Sequence, residues 1–200
     1  MIVVNLYGGP CSGKSTAAAV VFADLKNHGI NAELVGEYAK ELIYQGKRWM
    51  LGPDGDQKAI FEGQLQRLQN LEASECAVAV SDSPLLQSLV YARGRECYQE
   101  IRDLALAYEA CWSSYHYFIN RTEHYSTFGR VHTLEQSLVK DQEIRDLMRE
   151  LSVPLSEASG GVEGQRALAR EVRTDILIHD LFEDMGHAVV SDPVRSDVRR

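Results

Sequence analysis

The sequence predicts an α/β domain, a central parallel sheet of about five strands with helices on both faces. Three observations predict it. Short apolar runs alternate with helical patterns along the chain. The first run, residues 2–7, is nearly continuous in its apolar character, as a strand covered on both sides must be. No repeat, low-complexity tract or linker interrupts the 200 residues. Such a length suits one domain over 1–200, able to bury about seventy per cent of its unfolded surface.

Taken in order, the strand at 2–7 ends at Gly8-Gly9-Pro10, and an Ala-rich helix from 14 to about 28 stops at Gly29. A second strand at 32–36 leads to a helix at 37–45. Residues 46–56, punctuated by Gly and Pro, form a loop. A long helix over 57–74 carries Ile60, Phe61, Leu65, Leu68 and Leu71 on one face. The third apolar run, 76–81, closes at Asp82. Helical segments at 85–93 and 96–112 precede a fourth strand at 115–120. A polar stretch at 121–133, a helix at 134–151, a fifth strand at 153–157 and a helical region at 163–185 complete the chain.

Composition narrows the function classes. Hydrophobic residues make up 44% and charged residues 25%, the globular average. No apolar run approaches the roughly 20 residues of a membrane helix, and Met1-Ile2-Val3-Val4-Asn5 carries no basic leader. The expectation is a cytoplasmic protein with no membrane partner. A net charge of −8 argues against nucleic acid as a general partner, while leaving room for a local basic groove. Cys11, Cys76, Cys97 and Cys111 show no metal spacing and read as reduced, buried thiols. Arg195, Arg199 and Arg200 read as a solvated tail.

Between the first strand and the first helix stands Gly8-Gly9-Pro10-Cys11-Ser12-Gly13-Lys14-Ser15, which matches G-x-x-x-x-G-K-[ST]. Its glycines let the backbone curl so that successive N–H groups point inward at phosphate oxygens. The helix that begins at Lys14 adds its unpaired N–H groups and the positive end of its dipole. In this phosphate-binding loop Cys11 contributes backbone rather than sulfur. Lys14 offers a charge to the β and γ phosphates, Ser15 a hydroxyl to Mg²⁺, and Thr16 a contact to the α phosphate. The expected ligands are therefore ATP and Mg²⁺.

A GTPase would show Asn-Lys-x-Asp, and none is present. A helicase or motor needs a longer chain and a strand ending in paired acids. What remains is a small phosphotransferase, which must align an acceptor hydroxyl with the γ phosphate. Glu37 ends the second strand and Asp82 the third, at the carboxyl edge where open α/β sheets bind ligands. Asp82 is expected on the Mg²⁺ side. Glu37 either orients or deprotonates the acceptor hydroxyl, or is an acid that the dipole of the following helix favours. The stretch 121–133 reads as a lid in which Arg121 and Arg130 present guanidinium forks to the transferred phosphoryl group. Trp49, Tyr38 and Tyr44 either stack on an acceptor base or pack in the core.

Several blocks together carry a resemblance. They are Asn5-Leu6-Tyr7-Gly8-Gly9-Pro10 through Thr16, Val35-Gly36-Glu37-Tyr38-Ala39-Lys40, and Ser81-Asp82-Ser83-Pro84-Leu85-Leu86. Arg121 with Tyr125, Gly129-Arg130 and Thr133-Leu134-Glu135-Gln136-Ser137 form the last. With these blocks, which span most of residues 2–150, the chain resembles the NadR-like P-loop kinases, and most closely the small versions of tailed bacteriophages. The resemblance implies a P-loop kinase fold and phosphoryl transfer from ATP to a hydroxyl of a nucleoside-type acceptor. Family members include nicotinamide riboside kinase domains. Similar phage enzymes phosphorylate 5-hydroxymethyluracil in viral DNA, a step of thymidine hypermodification. With no nucleotidyltransferase domain before the loop, the expectation is nucleotide or DNA-base metabolism rather than NAD synthesis. Its narrowest form is 5-hydroxymethyluracil in phage DNA. A kinase of a free nucleoside or (deoxy)nucleoside monophosphate stays open, as does a nucleotide-gated ATPase or binding protein.

Overall fold

The computed structural model describes residues 1–52, 54–122 and 133–190, with side chains through 181. Five parallel strands form one sheet in the order β2-β3-β1-β4-β5. They are β1 (Ile2–Tyr7), β2 (Ala32–Val35), β3 (Val78–Ser81), β4 (Ser113–Asn120) and β5 (Ser156–Ser159). The helices are α1 (Lys14–Asn27), α2 (Tyr38–Tyr44), α3 (Gln57–Ala73), α4 (Ser88–Ala92), α5 (Tyr98–Cys111), α6 (Leu134–Glu150) and α7 (Val162–Val190). The predicted class therefore holds, with short 3₁₀ turns at Arg48–Leu51 and Leu85–Gln87 added.

β1 lies at the centre and is buried on both faces. Val3 and Tyr7 join Phe61 and Leu65 of α3, Leu89 of α4, Ile101 of α5 and Ile144 of α6 in one core cluster. Val4 and Leu6 join Ala17 and Val21 of α1 and Leu168 and Val172 of α7 in the other. This two-sided cover explains the continuous apolar run, since each buried large side chain contributes about 1.5–3 kcal/mol. Four of the five predicted apolar positions of α3 are buried, and Leu71 packs partly against the same cluster.

Behind the start of the phosphate-binding loop a polar chain ties three elements together. The Tyr7 hydroxyl donates to His116 Nδ1 of β4 at 3.1 Å, and His116 Nε2 reaches Glu109 Oε1 of α5 at 2.9 Å. Burial, reinforced by Glu109, holds the Tyr7 hydroxyl protonated, and the Glu109 carboxylate, which only accepts, calls for a proton on His116 Nε2.

Three expectations need correction. The fifth strand runs over Ser156–Ser159, not 153–157. Pro154 has no N–H to give a ladder, and Val153 and Leu155 pack against the α3–α6 cluster instead. The segment expected as one helix over 85–93 is a 3₁₀ turn followed by the single helical turn of α4. Of the four free cysteines only Cys76 is buried; Cys111 is exposed. Among the described residues no helix is long and apolar enough to cross a membrane.

Candidate active site

The carboxyl ends of β1, β2 and β3 carry, in register, the loop at residues 8–13, Glu37 and Asp82. Gly8 has φ +143°, and a side chain there would strike Ser12 Oγ at 2.5 Å, so the turn out of β1 requires glycine. Cys11 takes a left-handed φ of 63° and Gly13 one of 97°, the alternation that turns successive N–H groups to one side. Lys14 curls back over the loop, its Nζ donating to the Gly8 carbonyl at 2.6 Å and the Gly9 carbonyl at 3.0 Å. Burial lowers the Lys14 pKa, and the carboxylates of Glu37, Asp82 and Asp141 pull it back up.

Ser15, at the first turn of α1, donates from Oγ to Asp82 Oδ2 at 2.6 Å. Asp82 is buried, and its other oxygen, Oδ1, has no hydrogen-bond partner among the described residues. A hydroxyl beside a carboxylate with one unanswered buried oxygen is a hard-oxygen donor set that suits Mg²⁺. Glu37 caps α2 through its backbone, with Lys40 N donating to its carbonyl at 3.2 Å. Its side chain makes no cap hydrogen bond and instead lines the cleft beside the loop.

That cleft, of about 410 Å³, runs from Pro10–Thr16 past Glu37 to a wall built by α2, the Arg48–Leu51 turn and the start of α3. Lys40, Tyr44, Arg48, Gln57, Ile60 and Tyr91 are among its lining residues. Tyr44 is exposed and lines it, whereas Trp49 is exposed outside it. Tyr38 packs over Gly63 and under the Arg67 guanidinium, so for this ring the packing alternative holds.

Of the two arginines expected in a lid, Arg121 lies among the described residues; Arg130, with Tyr125 and Gly129, lies outside them. Arg121 is mostly buried and grips Asp141 of α6 with two nitrogens, Nε to Oδ2 at 2.5 Å and Nη2 to Oδ1 at 3.1 Å. A third nitrogen donates to the Pro10 carbonyl at 2.5 Å, inside the phosphate-binding loop. Asp141 Oδ1 also accepts from the Gly9 N–H at 2.6 Å. A capping box at Thr133 and Gln136 starts α6 and so sets the helical phase that aims Asp141 at the loop.

The sequence reading missed Asp141, along with Gln87, which accepts from the Gly8 N–H at 3.4 Å, and Tyr91, whose hydroxyl is kept protonated by burial and then by Glu37. It also attached no site role to residues beyond 150. Yet the β5–α7 turn walls the loop: a side chain at Gly160 would lie 2.8 Å from the Ser12 carbonyl. The signal for Asp141 was faint, one acid on a buried position of an otherwise amphipathic helix.

Removing Asp141 has a predictable result. An Asp141→Ala protein leaves the Arg121 cation buried without its carboxylate, which costs about 3–5 kcal/mol. Calorimetric unfolding is expected to show a Tm lowered by about 6 °C or more. An unchanged Tm shows that the brace contributes nothing to the fold.

A family model described as AAA domain matches residues 3–166. No curated protein matches the sequence. Among solved structures, that of NadR protein in complex with NAD and AMP-PNP superposes with a TM-score of 0.63 at 16% identity. It covers 86% of this chain and 48% of that one. NadR protein in complex with NR gives a TM-score of 0.57 at 18% identity, over 78% of this chain and 45% of the other. The chain thus spans about half the length of these proteins, and at such identities the likeness is one of fold.

Proposed function

We propose, from the premise that the chain belongs to the AAA domain family, that it is an ATP-dependent phosphotransferase acting on a hydroxyl of a nucleoside-type acceptor. The observation that carries the reading is the Ser15–Asp82 pair seated beside the Lys14-backed loop, with Glu37 facing the same cleft. The NadR structures hold AMP-PNP and NR, which supports a triphosphate and a nucleoside-type ligand on this fold.

In this reading the loop amides and Lys14 hold the β and γ phosphates, and Thr16 contacts the α phosphate. Ser15 and Asp82 would hold Mg²⁺, which would supply charge neutralisation to the triphosphate. The acceptor oxygen attacks the γ phosphorus in line, the bond to the β–γ bridging oxygen breaks, and ADP leaves. Glu37, on the acceptor side, orients the hydroxyl and takes its proton. Arg121, expected to face the phosphoryl group, is engaged instead by Asp141 and the Pro10 carbonyl and braces the loop's first half. Arg130, outside the described residues, would present its guanidinium to the transferred phosphoryl group.

The narrowest form of the reading is 5-hydroxymethyluracil in phage DNA as acceptor, supported by the sequence blocks that resemble the small phage kinases. A kinase of free nucleosides or nucleoside monophosphates is the second form, favoured by the net charge of −8. Incubation with γ-labelled ATP, Mg²⁺ and each acceptor class tests both: label in the DNA selects the first, and label in a free nucleoside or nucleotide the second. ADP released at one rate whatever acceptor is added overturns the phosphotransferase reading in favour of a nucleotide-gated ATPase.

A further inference from the structure

Acids outnumber bases in this chain, 29 to 21, and most described cations answer a carboxylate. Arg67 pairs with Glu41, Lys58 with Glu100 and Arg145 with Glu157. Lys40, Lys47 and Arg48 do not: among the described residues none of their side chains makes an ion pair or hydrogen bond. They sit together on α2 and the turn that follows it, and Lys40 and Arg48 line the cleft. In an acid-rich chain, cations left unanswered side by side call for an anion from outside.

The same segment shows two exposed aromatic side chains, Tyr44 at 77% and Trp49 at 69%. Tyr44 stands in the cleft between the two cations in sequence, and Leu51 and Ile60 add apolar wall. Among the described residues the one carboxylate lining the cleft is Glu37, next to the phosphate-binding loop, while nearby Glu41 is held by Arg67 and Gln45. The acceptor end is therefore cationic and aromatic. A neutral nucleoside would leave both cations without a partner, and a cationic ring would be repelled.

We infer that the acceptor carries a phosphate ester as well as a ring: a nucleotide, free or within a single strand, whose phosphate is held by Lys40 and Arg48 and whose base lies against Tyr44. This deepens the phosphotransferase reading and rests on it. Arginine's fork matches two phosphate oxygens, lysine supplies a point charge, and an exposed aromatic face accepts any base. Lys47 and Trp49, just outside the cleft, continue the same chemistry in the direction a strand would leave.

The test uses the full chain with AMP-PNP present. The probes are the common deoxynucleosides and 5-hydroxymethyldeoxyuridine, each as nucleoside, as monophosphate and within a short single-stranded oligonucleotide. For at least one base the phosphorylated forms are expected to bind about tenfold or more tighter than the nucleoside. Lys40→Gln and Arg48→Gln are each expected to shrink that ratio by about tenfold, with unfolding midpoints unchanged because neither side chain has a partner to lose. Added salt is expected to weaken the phosphorylated forms selectively. A strand that binds more tightly than the monophosphate, and loses that margin in Trp49→Ala, identifies a polynucleotide source; equal affinities identify a free nucleotide.

Nucleosides that bind as tightly as their phosphates, or ratios untouched by both substitutions, overturn the inference. ADP formation is read in parallel to separate it from the reading beneath. Selective, cation-dependent binding without any acceptor-stimulated ADP sinks the phosphotransferase and leaves the phosphate contact. Equal turnover of nucleosides and nucleotides does the reverse.

Discussion

Lys14→Ala protein is expected to fold normally and to bind no nucleotide measurably. The Lys14 ammonium is curled back over the loop with, among the described residues, only the Gly8 and Gly9 carbonyls as hydrogen-bond partners, and burial already disfavours its charge. Removing it relieves that desolvation while costing two hydrogen bonds, so the two changes in stability nearly cancel. The Tm is expected to move by no more than about 4 °C. Function answers differently, because a triphosphate would lose the ammonium held at the Gly8 and Gly9 carbonyls. Calorimetry with Mg·ATP is expected to show no heat of binding, and turnover is expected to fall to background. Nucleotide affinity equal to that of the native protein removes the loop as the triphosphate site, and the enzyme reading with it.

Asp82→Asn is expected to lower kcat by about two orders of magnitude or more while leaving the fold intact. Asn has the shape of Asp, and its carbonyl oxygen can still accept from Ser15 Oγ, so the local packing survives. What disappears is the negative charge of a buried carboxylate whose Oδ1 has no other partner. Mg²⁺ affinity depends on that charge. The Mg²⁺ concentration for half-maximal rate is therefore expected to rise together with the loss of kcat. Near-normal turnover shows that the metal-side carboxylate has been misassigned. Glu37→Gln provides the contrast, since it is expected to lower kcat without moving the Mg²⁺ dependence.

The legible part of the site is the part carried by neighbours in sequence. Strand, glycine turn and helix follow one another within residues 2–27, so the loop, Lys14 and Ser15 could be placed from spacing alone. Asp82 was legible because it ends an apolar run, and parallel strands bring such ends to one edge. Asp141 was not. It stands 132 residues from the Gly9 amide it accepts from, and its helix reads as an ordinary amphipathic one until packing turns that position inward. Lys40 and Arg48 were visible as residues but not as unpaired charges, because pairing depends on which carboxylates reach them.

By itself the sequence determined the α/β class, the phosphate-binding loop and the two acids at the strand ends, since each follows from periodicity or from groups a few bonds apart. Only the tertiary structure decided that Arg121 braces the loop through Asp141, that the β5–α7 turn walls it, and that the α2 side of the cleft keeps its cations unanswered by any described carboxylate. The physical reason is distance. Hydrogen bonds and charge pairing act over a few ångströms of space, and chain order alone does not say which remote side chains the sheet will bring within that reach.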